Sequence, residues 1–499
     1  MREEQLTAMR RDDSADRVVI AVAVLASFVA FLDGSVVNLA LPAIAADFGG
    51  GLALQQWVVD GYLLALGALI LVAGAVSDQF GRLVVLRTGL VVFALASLLC
   101  ALAPTGWVLV AARCLQGAGA AFLVPSSLAM INARFSGGRQ ARAIGTWTAW
   151  TGTAFVVGPP LGGFLVDALS WRWVFGINVV PLAVTLYLVA KLGPGRSTAT
   201  GSRIDTATGS ARIDVVGAAL CAVGLTGAVY ALIELQRLGL SHPSVAAGLV
   251  VGVGCLVAFP WWERRAANPI MPSGLFAERN FAVGNLATVF VYAAVSLGTL
   301  LVALFLQETV GLSASQAGLA TLPLPVLSFF LARPFGTLAG RHGPRVYMAV
   351  GPLVAACGFL LLTTAREPFD FWTQMLPGLI VFGVGLSVTV SPLTAAVLAA
   401  VEPAQSGIGS AVNNAVSRVA GLVAVAFAGV IVGGMGSTAM TFDGFTRGVI
   451  VVAGLFVIAG AVSALGISNA RCDVGRISAE AAARCHDRVA APPALSAAD

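Results

Sequence analysis

The stretch VVIAVAVLASFVAFLDGSVVNLALPAI, residues 18–44, decides how this chain is to be read. It is an almost unbroken apolar run, and a bilayer's hydrocarbon core takes about 20 such residues as one helix. One charge, Asp33, lies near its middle. An aspartate at the centre of a spanning helix costs roughly 2.5–3.5 kcal/mol on insertion scales, so its presence calls for a partner or a task.

The rest of the chain repeats the pattern. Of 499 residues, 58% are hydrophobic and 11% charged, against about a quarter charged in a soluble domain. Mean hydropathy is +0.90. Apolar runs of spanning length cover 18–44, 55–76, 83–103, 107–131, 143–166, 172–191, 213–233, 244–262, 281–306, 315–336, 346–364, 371–398, 407–433 and 446–468. The expected protein is polytopic and all-α, with fourteen membrane helices. Its net charge of +5 gives no nucleic-acid signature.

Arginine and lysine set the orientation. With the N-terminus inside, 22 of the 29 fall on the inner side, four on the outer side (Arg172, Arg237, Arg366, Arg447) and three within spans (Arg113, Arg333, Arg418). That asymmetry satisfies the positive-inside rule and predicts both termini in the cytosol. Residues 1–17 then read as a cytosolic leader into an uncleaved first span. The Gly-, Ser- and Thr-rich segment 192–212 reads as a flexible linker, 263–280 as a second cytosolic linker, and 469–499 as a short cytosolic tail.

The seven cysteines form no framework. Cys100, Cys114, Cys221, Cys255 and Cys357 sit singly in apolar runs and read as small buried hydrophobes; Cys472 and Cys485 lie in the tail. No metal site is expected.

An internal repeat is present. GAVSDQFGR, 74–82, and GTLAGRHGPR, 336–345, each join two spans on the inner side. Gly74 aligns with Gly336, Asp78 with Gly340 and Gly81 with Gly343. Two halves with matching loops are a mark of transporters. The one lysine, Lys191, follows no glycine loop, so the chain lacks a Walker A motif and its phosphate cradle. The three histidines, His242, His342 and His486, lie in loops or the tail, and neither HExxH nor GxSxG occurs. An enzyme is not expected. Active transport would draw on an ion gradient or a separate ATPase.

Polar residues inside the membrane carry the chemistry. Asp33, Asp60 and Arg113 fall at outer or middle depth of spans 1, 2 and 4, so a shared polar cavity is possible. Burial and a nearby arginine act oppositely on a carboxyl group, which suits Asp33 to loading and releasing a proton, with Arg113 as charge partner or relay. Further cavity or substrate candidates are Asn38, Gln116, Trp147, Trp150, Asn413, Asn414 and Arg418. Arg333 reads as interfacial, and Glu234 and Glu308 as solvated span ends. Pro42 deprives the Asn38 carbonyl of its helical partner. Pro159 and Pro160 in GPPLGG, 158–163, act similarly on Phe155 and Val156, and the glycines leave a flat surface for close packing.

These residues resemble the major facilitator superfamily, more narrowly its fourteen-span, QacA- and EmrB-like drug:proton antiporters, over residues 18–468. LDGSVVNLALPAI looks like the span-1 signature of that group, and GAVSDQFGRLVVLR is similar to the superfamily's loop 2–3 motif. LVAARCLQGAGAA, 109–121, resembles the arginine motif of span 4. GTAFVVGPPLGG, 152–163, looks like the span-5 antiporter motif.

The resemblance implies a major facilitator fold: a six-helix bundle over 18–191, two inserted helices over 213–262 and a second bundle over 281–468. It implies a gating loop of Gly74, Asp78, Gly81 and Arg82, in which Asp78 and Arg82 latch the halves on the cytosolic side. Gly152, Gly158, Pro159, Gly162 and Gly163 would form the antiporter motif, and Asp33 and Arg113 would couple protons. The implied protein is a monomer of the bacterial cytoplasmic membrane, with no cofactor beyond the proton gradient. It would export lipophilic drugs or antibiotics by alternating access.

Two departures qualify this. Gly340 stands where a symmetric latch would have an acid. Spans 10 and 13 carry Arg333 and Arg418 where exporters of dications carry acids, which points to monocationic or neutral substrates. The alternatives are a narrow exporter of one natural product or lipid and, from another class, a scaffold or sensor, which the lack of any soluble domain disfavours.

Overall fold

The computed structural model describes residues 2–135, 137–192, 214–266, 269–271, 273–401, 406–432 and 440–469; side chains are described for these except 2–15, 71, 74, 75, 78, 79, 137, 138, 141, 192, 236, 273, 406 and 407. Among the described residues there are no strands, and fourteen helices are long and apolar enough to cross a membrane. They are α1 (Asp16–Phe48), α2 (Gly51–Ile70), α3 (Arg82–Ala101), α4 (Gly106–Arg134), α5 (Arg142–Ala168), α6 (Trp173–Lys191), α7 (Val215–Leu235), α8 (Pro243–Glu263), α9 (Arg279–Thr309), α10 (Ala314–His342), α11 (Arg345–Thr364), α12 (Phe371–Ala399), α13 (Ile408–Ala426) and α14 (Phe442–Gly466).

Each helix overlaps one apolar run of the sequence. Two differences stand out. Helix α1 begins at Arg2 and runs on through Pro42 to Phe48, so the backbone of the leader is helical. Three runs are each broken into a short and a long helix: α6 into Trp173–Gly176 and Val179–Leu192, α10 into Ala314–Ala320 and Pro323–His342, and 407–433 into α13, which stops at Ala426, and Ala428–Val432. The linker 193–212 and the tail from 470 lie outside the described residues.

Helix starts are chemically marked. Thr105, Asp214, Ser313 and Thr441 each accept a hydrogen bond from an orphan backbone N–H of the helix they precede. The internal repeat is visible as backbone geometry. Gly81 between α2 and α3 has φ +91°, and Gly343 between α10 and α11 has φ +90°. Only glycine adopts that conformation freely, so both loops turn at the same place for the same reason.

Packing uses small residues, because lipid supplies no hydrophobic force between helices and backbones must approach closely. A Cβ on Gly117 would lie 2.2 Å from the Tyr62 carbonyl oxygen, joining α4 to α2. One on Gly385 would lie 2.3 Å from the Ala355 nitrogen, joining α12 to α11. The inserted pair closes likewise: a Cβ on Gly252 of α8 would lie 2.4 Å from the Ala228 nitrogen of α7.

That pair docks on α2 through Glu234, which is 3% exposed and accepts from Trp57 Nε1 at 3.3 Å and Arg237 Nε at 2.8 Å. The expectation of a solvated Glu234 is therefore wrong; two donors hold it at a helix junction. Cys357 is exposed rather than buried.

The core is split. One apolar cluster joins the outer part of the first bundle to the second bundle. A separate one, including Val22, Leu90, Phe93, Leu123 and Met130, fills the inner part of the first bundle. Apolar contact between the halves is thus concentrated on the side that the charge count assigns to the outside.

Candidate functional site

Asp33 sits at the middle of α1, fully buried, and is bonded from three directions. Arg113 Nη1 of α4 lies 2.6 Å from Oδ2. Gln116 Nε2, three residues on and therefore on the same helix face, donates to Oδ1 at 2.8 Å. Asn178 Nδ2, at the start of the long part of α6, donates to Oδ1 at 2.9 Å.

The donors are themselves fixed. Arg113 Nη1 also bonds Gln116 Oε1 at 2.7 Å, and its Nε donates to the Val58 carbonyl at 3.0 Å. Gln116 Nε2 reaches Ser97 Oγ of α3 at 2.9 Å. The Arg113 guanidinium lies 4.4 Å from the Tyr62 ring centroid and 5.6 Å from that of Phe175. Five helices thus contribute to one ion pair with no contact to water; Arg113 is 1% exposed. A buried pair of this kind is weak evidence of stability. What it provides is a charge whose loss must rearrange its neighbours, since the remaining partner would be left uncompensated.

Asp60 does not join this cluster. It is buried on α2, and neither carboxylate oxygen has a hydrogen-bond partner among the described residues. The expected cavity shared by Asp33, Asp60 and Arg113 is therefore corrected to a sealed pair plus a separate acid. Asn38 is half-buried and is not among the groups bonded to Asp33.

The second bundle contributes differently. Asn413 of α13 donates to Asn285 Oδ1 at 3.2 Å and Thr288 Oγ1 at 2.9 Å on α9. It ties two helices of its own half together, and both its donor contacts are used there. Asn414 donates to the Ser410 carbonyl of its own helix at 3.0 Å. Asn414 and Arg418 line a small void between the halves with Phe31, Tyr62 and Leu66. Tyr62 therefore stands between the two arginines: its ring carries Arg113 and also walls the void that holds Arg418. Arg418 Nε has no partner among the described residues.

Trp147 is half-buried and donates to Ser27 Oγ at 3.1 Å, and Ser27 meets Ser127 at 2.7 Å. Trp150 is 59% exposed, and Arg333 and Glu308 are exposed as well.

The span-5 motif packs on both sides. Cβ atoms on Gly158 and Gly162 would strike Ser35 and Val36 of α1. One on Gly163 would lie 2.3 Å from the Ala314 carbonyl oxygen of α10, in the other half. The Pro159 carbonyl in turn meets Gly318, where a Cβ would come within 2.4 Å. Gly152 faces open space.

Polar groups near this crossing bind the halves further. Asp167 accepts from the Ala314 and Ser315 nitrogens at 3.1 and 2.8 Å. Gln56 donates to the Val425 and Ala426 carbonyls at 2.8 and 3.0 Å, satisfying orphan groups at the end of α13. Gln55 reaches Glu308 at 2.5 Å. On the side that the charge count assigns to the outside, this layer ties the two halves together.

Of the gating loop, Gly74 and Asp78 lie outside the described side chains. Gly81 makes the turn, and Arg82 donates to the Ala129 carbonyl at 3.1 Å, within its own half.

Asn178, Ser97, Tyr62, Gln56 and Asp167 are the site residues that the sequence did not single out. Only Asp167 carried a usable signal, an acid at the end of an apolar run one turn beyond GPPLGG.

Comparisons agree with this architecture. The family model described as Major Facilitator Superfamily matches residues 23–278 and 284–478. The puromycin resistance protein pur8 of Streptomyces alboniger is 35% identical over 82% of this chain and 80% of its own length. The multidrug resistance protein Stp of Mycobacterium tuberculosis is 33% identical over 81% of this chain and 74% of its own. A crystallised peptide transporter, POT, in complex with sulfate, covers 90% of this chain and 93% of its own with a TM-score of 0.66; at 14% identity this likeness concerns the fold alone.

Proposed function

The chain belongs to the Major Facilitator Superfamily, and from that membership we propose that it is a proton-coupled antiporter exporting lipophilic monocationic or neutral drugs or antibiotics by alternating access. Its relatives and its fold are those of multi-pass membrane transporters, not of enzymes. The direction, the coupling and the substrate are the proposed part.

One observation carries the coupling. Asp33 is wholly buried and bonded on both oxygens to side chains of α4 and α6. Adding a proton there cancels the charge that holds Arg113, Gln116 and Asn178 in place. In a low-dielectric interior such a change acts on helix packing and not only on solvation.

The cycle follows. With the outer layer closed, Asp33 is ionised and paired, and substrate enters the inter-half space bordered by Tyr62, Asn414 and Arg418. When the outer layer opens, a proton from outside neutralises Asp33 and substrate leaves. The halves rock back, and the proton is lost inward. Arg418 faces this space as a cation, which disfavours dications. We place the protein in a bacterial cytoplasmic membrane, as a monomer with both termini cytosolic, using the proton gradient and no other cofactor.

A panel of susceptibility tests in a pump-deleted host decides breadth. Protection against several unrelated lipophilic compounds is expected. The narrower reading, export of a single natural product, is favoured by the relative named for puromycin resistance, and protection against one compound only would establish it instead.

A further inference from the structure

A large cavity lies away from the Asp33 cluster, on the far side of α13. Its volume is about 620 Å³, within the usual range for small-molecule sites. The inserted pair forms one wall, with Cys221 and Leu225 of α7 and Leu256 and Phe259 of α8; α2, α9 and α14 complete it.

The α13 wall is a single stripe: Val412, Val416, Val419, Val423 and Phe427, with alanines between. Val412 to Phe427 spans about 22 Å of helix, against a hydrocarbon core of about 30 Å. The cavity is therefore a long slot running most of the way across the membrane. Among the described residues that line it none is charged, and the Cys221 thiol is the one hydrogen-bonding side chain. A cation or a polar ring system would lose its water and gain no partner in return.

The slot reaches the lipid-facing surface, since Val451 of α14 is 39% exposed and Phe427 is 40% exposed. Its inner end is marked by Met271, whose nitrogen bonds Glu263 at 2.8 Å. Arg264 follows Glu263 directly and is exposed; Arg265, its guanidinium 3.9 Å from the Trp261 ring centroid, continues the outward face of α8 that carries Val250 and Val257. Tryptophan and arginine at that depth are groups of the interfacial belt, on the leaflet where anionic head groups concentrate.

The geometry points to a phospholipid site: a hydrocarbon chain of an anionic phospholipid fills the slot between the inserted pair and α13, and its head group lies at the inner end, against Arg264. Length, the carbon lining and a positive charge near one end all match an amphipathic chain better than a compact drug. The inserted helices then have a physical task, to clamp that lipid onto the core. This assignment stands apart from the transport reading, and neither depends on the other.

The test uses full-length protein in nanodiscs of phosphatidylcholine doped with phosphatidylglycerol carrying a photoreactive diazirine in its acyl chain, with mapping of the adducts. Labelling is expected at Val416 and Leu256 above the level at Val250 and Val257, which lie on the outward face of α8. Filling the slot with Ala293→Phe and Ala420→Phe should lower slot labelling about tenfold, the effect of excluding roughly two methylenes. Arg264→Gln should reduce the slot's preference for phosphatidylglycerol over phosphatidylcholine roughly fivefold, and Arg265→Gln, on the outward face, should leave it unchanged. Equal labelling of slot and outer face in the unmodified protein overturns the proposal without recourse to any variant. Slot labelling by a neutral aromatic azide but not by either lipid also overturns it, and assigns the cavity to substrate.

Discussion

Arg113 and Asp33 face each other across 2.6 Å in the interior of the first bundle, and both are shut off from water. Removing one member of such a pair leaves the other charged and uncompensated, at about 3–5 kcal/mol. Arg113→Gln should therefore lower thermal stability in detergent by that order. Combining it with Asp33→Asn should restore most of the loss, as a double-mutant cycle requires. Equal melting temperatures for Arg113→Gln and the unmodified protein would show that the pair is not formed.

The crossing of Gly163 with Ala314 predicts a conformational effect. Gly163→Val places side-chain atoms where a Cβ alone already lies 2.3 Å from backbone. The outer layer cannot then close, and a cysteine introduced at Gln55 should react with an impermeant maleimide from outside while transport is lost. Gly152→Ala, facing open space, should behave as the unmodified protein. Identical behaviour of the two variants would remove the seal from the account.

Gln56 makes a finer version of the same prediction. Gln56→Leu leaves the Val425 and Ala426 carbonyls without this donor, at about 1–3 kcal/mol in the closed arrangement only. Spin-label distances across the outer ends of α2 and α13 should broaden toward longer values. An unchanged distribution would mean that these bonds do not hold the halves.

The repeated loop glycines give a stability test. Gly81→Ala forces a side chain into a conformation that costs about 1–3 kcal/mol, with nothing within 4 Å to add to it. Gly343→Ala carries the same strain, and its Cβ would also meet Asn469 at 2.5 Å. Thermal unfolding should rank Gly343→Ala as the less stable of the two.

Most of the fold was legible because hydrocarbon imposes a coarse rule: apolar length fixes the spans. Asp33, Arg113 and Gln116 were legible for a related reason, since charge within an apolar run is costly and two of the three share a helix face. Asn178 was not. In FGINVVPLAV it reads as one polar residue near a span end, and only the approach of α6 to α1 brings it to Asp33. Asp33 and Asp60 look alike in sequence, each an acid in a span. Their neighbours separate them: one meets three donors, the other none among the described residues. Glu234 failed for the same cause, because its partner Trp57 lies on another helix.

The central claim is that Asp33 carries the coupled proton, and the direct measurement is proton movement in everted membrane vesicles when substrate is added. The unmodified protein should dissipate the imposed pH gradient. Asp33→Asn, which keeps a side chain of the same shape without the titrating group, should still bind substrate yet leave the gradient intact. Efflux with full proton movement in Asp33→Asn would contradict the account.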